Sequence, residues 1–229
     1  MRQYSIPKIL GVWAAAALPM GLIAWVVVPA LADPGDPAGR SRFAVALLVG
    51  YTIGLFWQFL LVVLLVRREG GSVRDRLWLH RPHWWVTLGV LAGTAVLEFL
   101  PVHLDGPDSR AMGPFLESPA GHELFQGNWP LFALCLVQFT LNTVLGEELL
   151  FRGVLLPRMN GAFGRFDWVV NALLFGAYHL HQPWSMPGAA ATGALQAWAV
   201  KRYRSAWISI IAHSAQSVLL SVLILRLVV

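Results

Sequence analysis

Residues 43–66 read FAVALLVGYTIGLFWQFLLVVLLV and contain no charged side chain, although Arg42 and Arg67 lie directly at the two ends. A helix rises about 1.5 Å per residue, so roughly 20 apolar residues cross the bilayer's hydrocarbon core of about 30 Å. This stretch is long enough to do so. It therefore predicts a transmembrane helix.

The composition of the whole chain agrees with a membrane protein. Of its 229 residues, 57% are hydrophobic and 13% are charged, whereas soluble domains carry about 25% charged residues. This composition excludes a soluble enzyme, a disordered tail and a secreted disulfide scaffold. The only cysteine, Cys135, lies inside an apolar run and can form no intramolecular disulfide. The net charge is +5, but the basic residues lie between apolar runs, so we expect no nucleic-acid binding.

Further apolar runs divide the rest of the chain into candidate spans. Three of them are long and almost free of charge, and three are short or contain polar residues, which is typical of helices inside a bundle. We therefore predict an all-α, polytopic transmembrane helical bundle with about seven spans, formed by residues 1–229 as a single integral membrane domain. The further runs lie at 9–32, 84–100, 129–146, 168–180, 183–200 and 206–225.

The charges between the runs predict the orientation, because basic loops stay on the cytoplasmic side of a membrane. The segment 67–82 is basic, and the segment 101–128 has a single basic residue, Arg110, among acidic ones. This pattern predicts a multi-pass protein of the cell membrane with a cytoplasmic amino terminus. The basic residues are Arg67, Arg68, Arg74, Arg76 and Arg81, and the acidic residues are Asp105, Asp108, Glu117 and Glu123.

The amino terminus also has features of a signal peptide. Two basic residues precede an apolar stretch that ends in Ala30-Leu31-Ala32, a sequence of the type that signal peptidase cleaves. The apolar stretch, however, exceeds the 7–15 residues of a signal-peptide core. We therefore predict that residues 1–32 are retained as the first helix.

Ionisable residues inside predicted spans are costly in a bilayer and mark functional sites. Glu147, His179 and His213 lie roughly 8 to 18 Å from the cytoplasmic ends of their helices, so they can meet in the cytoplasmic half of the membrane. A carboxylate and two imidazoles in a dry site are suited to general acid–base chemistry. Glu98 is instead assigned to the outer membrane interface, and His181 to an aromatic belt that also contains Tyr178, Gln182 and Trp184.

The spacing of the acidic motif separates two roles. Glu148 and Arg152 are four residues apart in the favourable acid-first order, so they can form an ion pair along one helix face. Glu147 is rotated by about 100° from Glu148 and is free to face elsewhere. We therefore predict that the Glu148–Arg152 pair shapes the site and that Glu147 is the reacting carboxylate.

Three motifs in this order resemble those of the CPBP family of intramembrane proteases, which includes CAAX prenyl proteases and bacteriocin-processing proteases. The motifs are Glu147-Glu148-x-x-x-Arg152, Phe175-x-x-x-His179 and His213. The resemblance covers residues from about 129 to 221, the predicted catalytic core.

The resemblance implies an intramembrane endopeptidase that cleaves a membrane-associated peptide or protein. It implies that Glu147 and His179 activate a water molecule and that His213 helps to hold the oxyanion. The family commonly has Asn four residues after the last His. Ser217 occupies that position here and Gln216 precedes it, and either side chain could supply the hydrogen bond.

Two alternatives remain open. Glu147, His179 and His213 also form the two-His, one-carboxylate set of catalytic zinc sites, although no HExxH motif is present. We expect no cofactor in the glutamate mechanism and zinc in this alternative. The second alternative is a non-catalytic membrane scaffold or immunity protein, which the Ser217 departure keeps open.

Overall fold

A computed structural model describes residues 2–33, 39–67, 69–98, 100, 104–107 and 110–229. Arg68 and Asp108, which entered the orientation argument, lie outside these ranges. The protein is 82% helical, and its described part contains no strand beyond an isolated bridge between Leu79 and Ser205. The prediction of an all-α protein is confirmed.

The seven longest helices correspond to the seven predicted runs. They are α1 (Ile6–Leu31), α2 (Arg40–Val66), α3 (Trp84–Glu98), α4 (Trp129–Arg158), α5 (Asp167–Tyr178), α6 (Met186–Tyr203) and α7 (Trp207–Val228). Short helices at Val73–Arg76, Met112–Glu117, Pro119–Phe125 and Asn160–Phe163 lie in the connections.

Four helices of the described chain, α1, α2, α4 and α7, are long and apolar enough to cross a membrane. Helix α3 has 15 residues and α5 has 12, which is below the roughly 20 that a span requires. Helix α6 has 18 residues and is rich in Gly and Ala. Four candidate spans are therefore present, and the count of about seven is not confirmed.

Two of the long helices contain wide π-helical turns. In α1 such a turn at Ile23–Val27 directly precedes Pro29, whose ring clashes with the carbonyl one turn earlier in a regular helix. In α4 the wide turns are Leu141–Gly146 and Leu149–Leu155. The acidic pair of the first motif lies between these two turns, and π-helical turns are frequent at functional sites.

Small residues allow close helix packing around the polar motifs. A Cβ atom on Gly176 would lie 2.7 Å from Ala190 Cβ and 2.9 Å from the Met186 carbonyl oxygen, so only glycine lets α5 approach α6 this closely. Helix α3 packs against both α6 and α7, and α2 packs against α4. This packing brings the second and third motifs to the middle of α4.

A partly buried ion pair connects several segments at one end of the bundle. Arg158 is fully buried, and its Nη2 and Nε donate to the Glu69 carboxylate at 2.7 and 3.1 Å. The Arg158 carbonyl accepts a hydrogen bond from the Tyr4 N–H at 2.9 Å, and its Nη2 also donates to the Arg76 carbonyl at 3.2 Å. The hydrogen bond of Glu69 to Arg158 lowers the pKa of the Glu69 carboxyl. The segments predicted to be cytoplasmic thus share one end of the bundle, although its side of the membrane stays a prediction.

Candidate active site

The three side chains of the first motif are buried inside the bundle. Glu147 is 3% exposed, and Glu148 and Arg152 are fully buried. Charged groups at such positions need partners, because an uncompensated buried charge is strongly destabilising. Their contacts therefore decide what each of them can do.

Glu148 bridges two cationic or potentially cationic groups. Its Oε2 lies 3.5 Å from Arg152 Nε, and its Oε1 lies 3.0 Å from His213 Nδ1. The predicted Glu148–Arg152 pair is present. The same carboxylate also anchors the third-motif histidine of α7, so one residue of α4 orients both neighbours.

Arg152 makes few polar contacts for a buried guanidinium. Its three nitrogens have no hydrogen-bond partner among the described residues. The guanidinium instead lies 3.9 Å from the centre of the Phe175 ring, a distance suited to a cation–π contact. Glu148 and Phe175 together therefore compensate this charge.

His179 lies at the carboxyl end of α5, where its backbone leaves the helical conformation. Its Nδ1 is 2.9 Å from the Phe175 carbonyl oxygen. Because a carbonyl can only accept, Nδ1 carries the proton and Nε2 is left as a free base. The Phe175 ring packs edge-on against the rings of both His179 and His213, at 5.1 and 6.2 Å between centroids. Phe175 thus holds both imidazoles and the arginine in place.

Glu147 faces a different set of groups from Glu148. It interacts with the Tyr178 hydroxyl and with the charges of His213 and Arg152. It makes no direct hydrogen bond to His179 among the described contacts. The predicted separation of roles between the two glutamates is therefore reflected in their surroundings, while the catalytic role of Glu147 stays a prediction.

Sequence reasoning missed two residues next to Glu147. Tyr178 is fully buried, and its hydroxyl accepts a 2.6 Å hydrogen bond from Gln58 Nε2 of α2. Because the Tyr178 hydroxyl accepts from the Gln58 amide, its own proton is available to donate. The acceptor for that proton is the Glu147 carboxylate. Gln58 is the signal that could have been used, because it is a polar residue in the middle of the otherwise apolar run 43–66.

The aromatic-belt assignment is wrong for Tyr178 and His181, because both are buried in the bundle. His181 is 6% exposed, and its ring stacks on His179 at 5.4 Å with 23° between the planes. It also packs edge-on against Tyr51 of α2 at 5.1 Å. His181 therefore supports the site rather than the membrane interface.

A cavity of about 230 Å³ adjoins the two histidines. Helices α5 and α7, which carry the second and third motifs, line this cavity together with their neighbours α3 and α6. Glu147 does not line this cavity. The lining residues are Thr94, Glu98, Phe175, His179, Gln182, Ser185, Ala189, Thr192, Gln196, His213 and Gln216.

The cavity distinguishes the two candidates for the family's missing Asn. Gln216 lines the cavity and its Nε2 donates to Glu98 Oε1 at 2.7 Å. Ser217 is 9% exposed and lies outside the lining, and its backbone carbonyl accepts from the Ser221 hydroxyl. Glu98, which we expected at the outer interface, lies on the cavity wall. A role for Ser217 stays a prediction, and Gln216 is the better placed of the two.

The donor groups do not fit a zinc site as they are arranged. Within the described ranges, no group of three or more His, Cys, Asp or Glu side chains has metal-binding geometry. The Nδ1 atoms of His179 and His213 bond to the Phe175 carbonyl and to Glu148, so a metal would have to bind Nε2 of each ring. We therefore derive no catalytic step through a metal.

Comparison with known proteins supports the resemblance of the motifs. Residues 128–219 match the family model described as Type II CAAX prenyl endopeptidase Rce1-like. No curated protein and no solved structure matches the chain. The matched segment begins at α4 and includes all three motifs, so this part of the chain is similar to the Rce1-like family of Type II CAAX prenyl endopeptidases.

Proposed function

We propose that this protein is an intramembrane endopeptidase that hydrolyses a peptide bond of a membrane-associated peptide or protein. The observation that carries the proposal is the buried Glu148, which binds Arg152 and His213, whereas Glu147 forms no ion pair with either of them among the described residues. This arrangement occurs inside a domain that matches a protease family. A structural role alone would not require a second buried carboxylate beside the first.

In the proposed reaction Glu147 accepts a proton from a water molecule, and the water oxygen attacks the carbonyl carbon of the scissile bond. The free Nε2 of His179 accepts a hydrogen bond from the same water and orients it. The Tyr178 hydroxyl donates to Glu147 and fixes the carboxylate. The proton held by Glu147 then passes to the nitrogen of the scissile bond as the carbonyl re-forms and the C–N bond breaks, so that the amine leaves and the Glu147 carboxylate is regenerated.

The developing oxyanion needs hydrogen-bond donors. In the proposal His213 carries a proton on each ring nitrogen, so Nδ1 donates to Glu148 and Nε2 donates to the oxyanion. Gln216, on the cavity wall, can supply the second donor that the family's Asn implies. Arg152 balances the charge of Glu148 and does not contact the substrate.

The site lies inside the helical bundle, so the substrate must be reached within or at the surface of the membrane. Removal of a sorting tail and maturation of a membrane-bound peptide both fit this location. A membrane-associated substrate fits this location better than a soluble protein, since the Glu147–Glu148 pair and His213 lie on helices that are candidate membrane spans. The bilayer is therefore a partner of the protein, and we propose the plasma membrane as its location.

The experiment compares the protein termini in membranes of cells that carry the wild type, Glu147→Gln or Glu117→Gln. Glu117→Gln is a matched control because this glutamate is exposed and remote from the motifs. We expect termini that occur with the wild type and the control and disappear with Glu147→Gln, at equal protein levels. Identical termini in all three samples, with Glu147→Gln still complementing a deletion, would support the scaffold or immunity alternative. Loss of the same termini on chelation would support the zinc alternative.

A further inference from the structure

A second cavity lies at the end of the bundle opposite Arg158. It is enclosed by α2, α4, α7 and the short helices Met112–Glu117 and Pro119–Phe125. We call it the Arg40–Arg110 pocket, after the two arginines in its wall. The hydrogen bonds of Ser41 Oγ to the Ala120 carbonyl and of the Gly127 N–H to the Val228 carbonyl close this end of the bundle.

Most of the residues that line this pocket are apolar. The exceptions are Arg40, Arg110, Tyr51, Gln138 and Gln182. Phe43, Leu48, Leu131 and Ile224 are among the side chains that line it. Its volume is about 120 Å³, comparable with the roughly 150 Å³ apolar cavity that accommodates benzene. An apolar cavity of this size takes a segment of hydrocarbon chain and gives water few hydrogen-bond partners.

The charged end of the pocket carries two arginines, Arg40 and Arg110. Arg110 donates through Nη1 to the Ala24 carbonyl at 2.9 Å and lies 4.1 Å over the Trp25 ring. A guanidinium has five N–H donors, so Arg110 has further donors besides this one.

An apolar wall beneath two guanidinium groups is complementary to an anion that carries a hydrocarbon chain. Three of the lining helices, α2, α4 and α7, are candidate membrane spans, so the bilayer is the direct source of such a molecule. We propose that the Arg40–Arg110 pocket binds one acyl chain of an anionic membrane lipid, with its phosphate held by Arg40 and Arg110. This site is separate from the catalytic cavity, although Gln182 lines both.

Cys135 provides a reporter for this binding, because it is the only cysteine of the chain and it lines the pocket. The full-length protein, delipidated in detergent, is treated with a maleimide in the presence of lysophosphatidylglycerol or of lysophosphatidylcholine with the same acyl chain. Glycerol phosphate serves as the free anion without a chain. Native mass spectrometry counts the lipids retained in the same samples.

We expect the anionic lysolipid to slow the alkylation of Cys135 on the order of tenfold and to bind with one molecule per chain. The zwitterionic lysolipid should bind about tenfold more weakly, since it loses net attraction to the two arginines. Glycerol phosphate should not protect Cys135. Arg40→Gln combined with Arg110→Gln should remove the preference, and Arg40→Gln alone should reduce it.

Arg42→Gln is the matched control, because Arg42 lies on the same helix, is exposed and does not line the pocket. Leu48→Trp, which fills the pocket, should abolish protection by both lysolipids. Equal protection by the two lysolipids, an unchanged preference in the double arginine variant, or absence of a retained lipid would each overturn the proposal. If Cys135 does not react with the maleimide even without lipid, the number of retained lipids and the headgroup preference measured by native mass spectrometry test the proposal alone.

Discussion

The buried charge of Arg152 allows a quantitative prediction about stability. Glu148 is the only carboxylate that pairs with Arg152 within the described residues, at 3.5 Å between Oε2 and Nε. At an effective dielectric constant of about 20, two charges at that distance attract each other by roughly 5 kcal/mol. Removing one partner of a buried pair costs about 3–5 kcal/mol, because the remaining charge is uncompensated.

The perturbation is a cycle of Glu148→Gln, Arg152→Met and the double variant. Arg152→Met should lose less than Glu148→Gln, because His213 Nδ1 still lies 3.0 Å from Glu148 Oε1 in that variant. We expect Glu148→Gln to lose about 3–5 kcal/mol of unfolding free energy. For a chain of this size that corresponds to a fall in Tm of roughly 6–20 °C. The double variant should recover more than half of either loss, because it contains no unpaired arginine or glutamate at this position.

The assay is thermal unfolding in detergent, with proteolytic activity measured on the same samples. Stability should return in the double variant, whereas activity should not, since His213 still lacks its partner Glu148. Glu117→Gln should leave the free energy of unfolding within about 0.5 kcal/mol of the wild-type value, as expected for a surface substitution. Additive losses in the double variant, or a loss below about 1 kcal/mol in either single variant, would refute the compensation argument.

Three further predictions follow from single contacts. Tyr178→Phe removes the hydroxyl that faces the proposed catalytic carboxylate, and it should lower kcat on the order of tenfold without changing KM, measured on the substrate identified by its termini. The hydrogen bond from Arg158 lowers the pKa of Glu69 in the folded state. The stability contributed by this pair is therefore present above the unfolded pKa of about 4.3 and is lost as the pH falls through the folded pKa. Melting curves between about pH 3 and 7 should show this acid-side loss in the wild type and a flatter profile in Glu69→Gln. Gly176→Ala places a Cβ 2.7 Å from a side-chain atom of α6, which should cost about 1–3 kcal/mol in thermal unfolding. Gly89→Ala meets nothing within 4 Å and should be neutral or stabilise by up to about 1 kcal/mol.

Most of the helical organisation was predictable because the bilayer imposes a length and a composition on each span. The apolar runs 43–66 and 206–225 correspond closely to α2 and α7. The short run 168–180 corresponds to α5, which has 12 residues. Its prediction as a membrane span rested only on the length and hydrophobicity of the run. Length and composition predict that a helix forms there, but they do not say whether it crosses the membrane or ends inside the bundle.

The chemistry of the site was predictable where it depended on spacing along one helix or on an ordered motif. The pairing of Glu148 with Arg152 follows from their separation of four residues, and the three motifs follow from their order. The contact of Glu148 with His213 spans α4 and α7, so no local spacing predicts it. The same reason explains why Tyr178 and His181 were assigned to an interfacial belt.

The sequence by itself determined the class of the protein, its helical runs and the residues of the three motifs. The free energy of placing a side chain in the bilayer depends on residue type and is favourable for apolar runs and unfavourable for charges, so composition and order are enough to identify both. The tertiary structure decided which glutamate holds the histidine, that Gln58 bonds to the Tyr178 hydroxyl beside Glu147, and that two arginines flank an apolar pocket. These features join residues far apart in the chain, and their positions depend on how closely the helices pack around Gly176 and Phe175.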